Sequence, residues 1–189
     1  MKRLLKKDTR KITISDRLNA QSIFSNIKHL KQITFEVTEK CNLACAYCAY
    51  GKYYDFASGR TLNDIPFVYI ENILKYLYKQ KYENSDLHIG LYGGEPLLKM
   101  DIIKQTVEYS RKLFASKNIN LTFGLTTNAV LLDKYIDFFE KNNFQLLISL
   151  DGDRYADSFR VFHNGKESFD IAFTNAKKAM KKYPEYCEK

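Results

Sequence analysis

Four short segments rich in branched and aromatic residues recur along the chain, at 33–37 (ITFEV), 87–92 (LHIGLY), 119–127 (INLTFGLTT) and 144–150 (FQLLISL), each followed by a loop and a stretch of helical period. Strands that alternate with helices pair in parallel and are joined by right-handed crossovers, so the helices must cover the sheet. The pattern predicts an α/β fold of about four βα units. Asn63 or Asp64 is the expected cap of a helix with Pro66 near its first turn and Ile70, Ile73, Leu74 and Leu77 along one stripe. Asp101 is the expected cap of a second, with Ile103, Val107 and Phe114 inward. Asp133 opens a third carrying Ile136 and Phe139, and Ser168 a fourth carrying Ile171, Ala172, Ala176 and Ala179. The tyrosines at 69, 76 and 78 read as a half-buried helix face.

In sheets of this kind ligands gather beyond the carboxyl ends of the strands. Four conspicuous stretches fall there: CNLACAYC (41–48), GGEP (93–96), TTNA (126–129) and SLDG (149–152). One site built from four loops is the simplest account of them. GLYGGEP lacks the GxGxxG pattern, which sets aside a dinucleotide loop.

Composition narrows the class. With 189 residues, 45% hydrophobic and 14% aromatic, the chain has material for one sizeable core, and its 28% of charged residues excludes a bilayer span and a disordered chain. The opening MKRLLKKDTRK is basic but is not followed by the apolar run of a signal peptide, which points to the cytoplasm and away from membranes. Residues 1–32 read as a basic N-terminal extension and 33–189 as the core domain. The formal charge of +8, concentrated near the two ends, is explained by solvated faces, with attraction to an acidic peptide or a nucleic acid as the sharper reading.

In a reducing compartment clustered thiols bind metal or do redox chemistry rather than form disulfides. Cys41, Cys45 and Cys48 stand together without a fourth, and no second CxxC follows. A structural zinc site closes at four ligands. His29, His88 and His163 lack ligand spacing and read as ordinary residues, and Cys187 as a lone thiol. Four cysteines would fill the sites of an iron-sulfur cluster, whereas three leave one iron open to a small molecule.

CxxxCxxC in the form CNLACAYC resembles the cluster loop of the radical S-adenosylmethionine (radical SAM) enzymes. GGEP, TTNA and SLDG resemble the same family's second, third and fourth strand ends, and RVFHNGKESFD (160–170) resembles the next stretch of chain in its peptide- and protein-modifying branch, which includes sulfatase maturases and ribosomal-peptide maturases. The resemblance implies a partial (βα) barrel, with four units visible where the family usually has six and no C-terminal cysteine-rich domain. It implies a 4Fe-4S cluster on Cys41, Cys45 and Cys48, S-adenosyl-L-methionine on the open iron, and a 5'-deoxyadenosyl radical that takes a hydrogen atom from substrate. By the same resemblance Tyr50 lies at the adenine, Gly93 and Gly94 let backbone approach the cofactor, and Glu95 accepts from its ammonium or holds the loop around it. Ser149 and Arg160 match positions that meet the ribose and the carboxylate. Thr127 and Asn128 are further candidates for the cofactor that also make an ordinary turn. Asp151 either touches substrate or caps backbone, and Tyr47 shields the cluster.

The expected activity is therefore modification of a peptide or protein, fed by a one-electron donor such as a flavodoxin or ferredoxin. The other class of function is a non-catalytic iron-sulfur or zinc module that binds a peptide or RNA. The aromatic stretch KYYDF, with Tyr53, Tyr54 and Phe56, reads as a cover for the cluster.

Overall fold

The computed structural model describes residues 19–51 and 62–187. MKRLLKKDTRK and KYYDF lie outside the described residues. In chain order the elements are α1 (Ala20–Lys28), β1 (Gln32–Thr38), α2 (Phe67–Gln80), β2 (Asp86–Gly93), α3 (Met100–Phe114), β3 (Asn120–Thr127), α4 (Ile136–Lys141), β4 (Phe144–Ile148), α5 (Phe169–Lys182) and α6 (Pro184–Cys187). The strands form one sheet in the order β1-β2-β3-β4, and every neighbouring pair is parallel. All four predicted strands are present. The architecture is α/β, a partial (βα) barrel.

Side-chain alternation divides the sheet into two faces. Phe35 and Val37 of β1, Leu87, Ile89 and Leu91 of β2, and Phe123 and Leu125 of β3 are buried in the core. The same core holds Ile70, Leu74 and Leu77 of α2, Ile103, Val107 and Phe114 of α3, and Ile136 and Phe139 of α4. Phe139 packs edge-on against Phe144, at 5.0 Å between ring centroids, and Phe144 stacks on Phe123 at 5.4 Å. Each such buried aromatic contributes about 1.5–3 kcal/mol through surface removed from water. Along the opposite face run Gln32, Thr34, His88, Tyr92, Thr126, Gln145 and Leu147, lining an open hollow of about 380 Å3. Two glycines keep this face low. A Cβ on Gly124 would stand 2.6 Å from Nε2 of His88, whose ring reaches across from β2.

The helix starts differ from expectation. α2 begins after Pro66, with no side-chain cap, because the carboxylate of Asp64 is taken by Thr38, Lys40 and Lys99. Asp101 stands inside the first turn of α3, where a negative charge suits the helix dipole, and not at its cap. Asp133 belongs to a 3-10 turn, Leu132–Lys134, and α4 starts only at Ile136. Ser168 precedes α5 but donates its hydroxyl to the carbonyl of Arg160 instead of capping the helix. Ile73 and Ile171 are exposed and lie outside the apolar stripes expected of them, while of the tyrosines expected on a half-buried face Tyr78 is half-buried and Tyr69 and Tyr76 are exposed.

Two helices escaped the sequence reading. α1 carries a capping box in which Asn19 Oδ1 accepts from the Ser22 backbone and Ser22 Oγ accepts from the Asn19 backbone, and this N-A-Q-S signal was legible before the apolar Ile23, Phe24 and Ile27. α6 is a single turn whose Tyr186 hydroxyl donates to the Phe144 carbonyl at 2.6 Å, which meets part of the outer side of β4. No helix among the described residues is long and apolar enough to cross a membrane.

Candidate functional site

A cleft of about 250 Å3 opens at the carboxyl ends of the strands. Cys41, Cys45, Cys48, Tyr50, Gly93, Gly94, Glu95, Thr127, Asn128, Ser149 and Arg160 all line it, so the residues expected at the cluster and the cofactor reach one place, while Asp151 stands outside its lining. Each loop is built to meet the others there.

The cysteine loop leaves β1 through a bulge at its end, where Thr38 rather than Val37 faces Gly93. Further on it is strapped from the other side. Ala44 N–H donates to the Val161 carbonyl at 2.7 Å and Ala46 N–H to that of Phe159 at 3.0 Å, while buried Leu43 bridges to Phe162. His163, read as an ordinary residue, places Nε2 3.0 Å from the Cys41 carbonyl. The loop closes on itself as Cys48 N–H donates to the Cys45 carbonyl and Gly51 N–H to that of Cys48. The Cys41 sulfur receives the Leu43 N–H at 3.4 Å, and the Asn128 amide lies 3.9 Å away. All three thiols are half-buried and none is in a disulfide. Burial pushes the Cys45 thiol up, against the lowering field of Arg160.

Among the described residues no three Cys, His, Asp or Glu side chains converge on a point that one metal ion could occupy. A zinc ion needs that convergence. A four-iron cluster takes one thiolate on each of three irons and so spreads its ligands over its own width. Three thiols ranged along one cleft suit a cluster.

Gly93 is required by contact as well as by backbone. Its φ of 144° lies in a region that side chains disfavour, and a Cβ there would be 2.2 Å from the Thr38 carbonyl oxygen. Gly94 N–H donates to that same oxygen at 2.8 Å. Glu95 follows and is 1% exposed. Its Oε1 accepts from Leu97 N–H at 3.0 Å and the Thr127 hydroxyl at 2.8 Å, and its Oε2 from Asn128 N–H at 2.8 Å. Burial raises the carboxyl above its ordinary range, and those three donors oppose the rise. These three bonds are those of the loop-holding role expected for Glu95, and Oε2, with one donor, keeps a further acceptor position.

Thr127 and Asn128 join that network. Thr127 Oγ1 also accepts from Ala129 N–H, Asn128 Oδ1 accepts from Val130 N–H, and Asn128 Nδ2 donates to Asn42 Oδ1 at 2.7 Å, beside Cys41. Buried Ala129 has φ 61°, a strained value for alanine, and buried Asn175 of α5 donates to the carbonyls of Ala129 and Val130. Ser149 N–H donates to the Thr127 carbonyl, which hangs the fourth loop on the third.

Arg160 is held from three sides. Its Nε and Nη2 donate to Asp151 Oδ2 and Oδ1 at 3.0 and 2.9 Å, its Nε is 3.4 Å from Asp157 Oδ1, and its guanidinium lies over the Tyr47 ring at 5.4 Å. The Tyr47 hydroxyl donates to Asp151 Oδ2. Arg160 holds the Asp151 carboxyl below its ordinary range, while burial and then Asp151 push the Tyr47 hydroxyl up. Asp157 was not singled out in the sequence. It is wholly buried, Oδ1 accepts from Asp151 N–H, and Oδ2 has no hydrogen-bond partner among the described residues. Asp151 is thus an anchor for Arg160, and Tyr47 packs beneath that pair at the cleft wall. Tyr50 donates its hydroxyl to Glu36 Oε1 at 2.6 Å.

Comparison with known proteins gives the family and the fold. The family model of the radical SAM superfamily matches residues 35–187. The chain is 30% identical over 156 residues to the cysteine-type anaerobic sulfatase-maturating enzyme of Clostridium novyi, an alignment covering 80% of this chain and 40% of that protein. It is 35% identical over 104 residues to the GTP 3',8-cyclase of Aquifex aeolicus, covering 54% of this chain and 29% of that one. The solved structure of native anSMEcpe with bound AdoMet superposes with a TM-score of 0.71 at 24% identity, over 82% of this chain and 42% of that one. The chain thus spans less than half the length of these relatives.

Proposed function

The chain belongs to the radical SAM superfamily, and on that premise we propose that it forms the core of an enzyme that modifies a peptide or protein. Its cofactors are a 4Fe-4S cluster and S-adenosyl-L-methionine. When bound, they supply reductive cleavage of a carbon–sulfur bond and removal of a hydrogen atom from substrate.

The observation that carries the reading is the assembly of three half-buried thiols and a glycine-lined rim in one cleft. Cys41, Cys45 and Cys48 would hold three irons, with the Leu43 N–H tempering the charge on the Cys41 sulfur. Gly93, whose missing side chain makes room for the Thr38 carbonyl, and Gly94 would present backbone rather than side chains to the cofactor at the strand end. Tyr50, Thr127, Asn128 and Ser149 would flank it. The bonds of Arg160 to Asp151 use Nε and Nη2, so Nη1 is the group a ligand carboxylate would meet. Glu95 keeps the GGEP and TTNA loops at fixed separation, and Tyr47 and Leu43 restrict water at the cleft wall.

The peptide reading is supported by the sulfatase-maturating relative and by the neighbouring hollow on the sheet's polar face. That hollow shares Tyr92 and Thr126 with the cleft and offers Gln32, Thr34, His88 and Gln145, whose amides, hydroxyl and ring can bond a polypeptide backbone. The cyclase relative favours a second reading, a nucleotide substrate. A one-electron donor such as a flavodoxin or ferredoxin would reduce the cluster, and clustered thiols outside any disulfide belong in a reducing cytoplasm.

The test is anaerobic reconstitution with iron and sulfide, addition of S-adenosylmethionine and dithionite, and measurement of 5'-deoxyadenosine beside the Cys41→Ala/Cys45→Ala/Cys48→Ala variant. Deoxyadenosine from the unmodified chain alone is expected. A reconstituted cluster that yields none overturns catalysis by this chain. Stimulation by cysteine- or serine-containing peptides supports the peptide reading, and stimulation by GTP alone replaces it with the nucleotide one.

A further inference from the structure

The cysteine loop and the GGEP rim belong to different βα units, yet the cleft needs them at a fixed separation. Their direct links are two backbone bonds, Gly94 N–H to the Thr38 carbonyl and Glu95 N–H to the Lys40 carbonyl, both at 2.8 Å. One carboxylate stands behind both. Asp64 Oδ1 accepts from the Thr38 hydroxyl at 2.7 Å, and Oδ2 receives Lys40 Nζ at 2.9 Å and Lys99 Nζ at 2.6 Å. Thr38 is the last residue of β1, Lys40 directly precedes Cys41, and Lys99 ends the 3-10 turn Pro96–Lys99 that comes after GGE.

We propose that Asp64 is a positioning residue that locks the cysteine loop to the GGEP rim. The inference rests on the cofactor reading above, since it concerns the separation at which the cluster and S-adenosylmethionine are held.

Exposed ion pairs contribute little by themselves, and each of these lysines is partly in water. Three features set this one apart. The carboxylate takes a third donor from Thr38, which is buried, and that hydroxyl in turn accepts from Lys40 N–H at 3.1 Å. The backbone around Asp64 is fixed as well, with a bridge to Thr38 and flanking bonds from Glu39 N–H to the Asn63 carbonyl and from Ile65 N–H to the Val37 carbonyl. Thr38 and Lys40 belong to the segment that enters the cysteine loop and Lys99 to the turn after GGE, so the charge works between segments and not within one. Burial works to raise the Asp64 carboxyl, but Lys99, Thr38 and Lys40 outweigh it and hold the group well below its ordinary range, as a carboxylate shared by three donors should be. Removing the charge leaves two lysines facing each other with no common partner. A slack of this kind acts on cofactor binding, because small displacements of a binding group are costly where geometry is preset.

The test compares the unmodified full chain with Asp64→Asn and Lys99→Met, with Asp133→Asn as a control that cuts a remote ion pair to Lys178. After anaerobic reconstitution, iron content and melting temperature are measured, and S-adenosylmethionine is titrated while the electron paramagnetic resonance spectrum of the reduced cluster is followed. Both variants are expected to keep the iron content and to need about tenfold more S-adenosylmethionine to half-saturate the spectral change, with the control unchanged. An unchanged half-saturation, or a loss of iron and melting temperature without it, overturns the inference. If the unmodified cluster ignores S-adenosylmethionine, the cofactor reading fails instead, and hydrogen exchange of the cofactor-free chain then decides the lock. Exchange at Gly94 and Glu95 about tenfold faster in both variants upholds it, and equal exchange overturns it.

Discussion

Glu95 illustrates how far a single residue can be read. Its place in GGEP marks it as part of the site, but the sequence does not reveal which way the carboxylate turns, because Thr127 and Asn128 lie more than thirty positions away. Turned inward, it is a buried anion surrounded by donors. The variant Glu95→Gln keeps one carbonyl oxygen for Leu97 N–H and the Thr127 hydroxyl and sets an amide donor against Asn128 N–H. The expected cost is about 1–3 kcal/mol of unfolding free energy, measured by urea denaturation. Asp157 escaped notice for the same reason. Nothing about an aspartate in DRYADSF announces that it will be sealed behind Arg160.

At the scale of elements, the strands were legible and the helix starts were not. Branched and aromatic runs of the right length have one outcome in a parallel sheet, so all four strands appear within a few residues of their expected bounds. A cap is a choice between local and distant partners. Asp64 looked like the cap of α2 but found two lysines and a threonine, and α2 begins after Pro66 with no side-chain cap. The four loops were legible as one site because topology alone delivers strand ends to one rim. Gly93 shows what that delivery requires. Gly93→Ala drives a methyl into the Thr38 carbonyl at an unfavourable φ, and is expected to cost about 2–4 kcal/mol. Differential scanning calorimetry measures it, beside Gly165→Ala, where no atom lies within 4 Å.

Over the whole molecule the buried and paired carboxylates set the response to acid. Asp64, Asp151, Asp137 and Asp170 are held below their ordinary 3.8. For Asp64 burial is outweighed by Lys99, Thr38 and Lys40, while Arg160 leads at Asp151, Lys182 at Asp137 and Arg154 at Asp170. A depressed carboxyl stabilises the fold fully above its unfolded value and loses that contribution as pH falls through its folded one. Glu95 has the opposite sign, because burial raises it. Four against one among the described residues predicts a melting temperature that falls steadily below about pH 4. Asp64→Asn flattens the fall, and melts between pH 3 and pH 7 check both.

The order β1-β2-β3-β4 has a bearing on how the molecule comes into being on a ribosome. Each strand pairs with the one made just before it, so the sheet can grow unit by unit behind the advancing chain. The thiol loop is an exception. Its outer strap, residues 159–162, and the His163 that meets Cys41 are separated from it by more than a hundred residues of synthesis. A nascent chain therefore completes all four strands before the strap reaches the three cysteines, so throughout that span of synthesis the loop is open on its outer side.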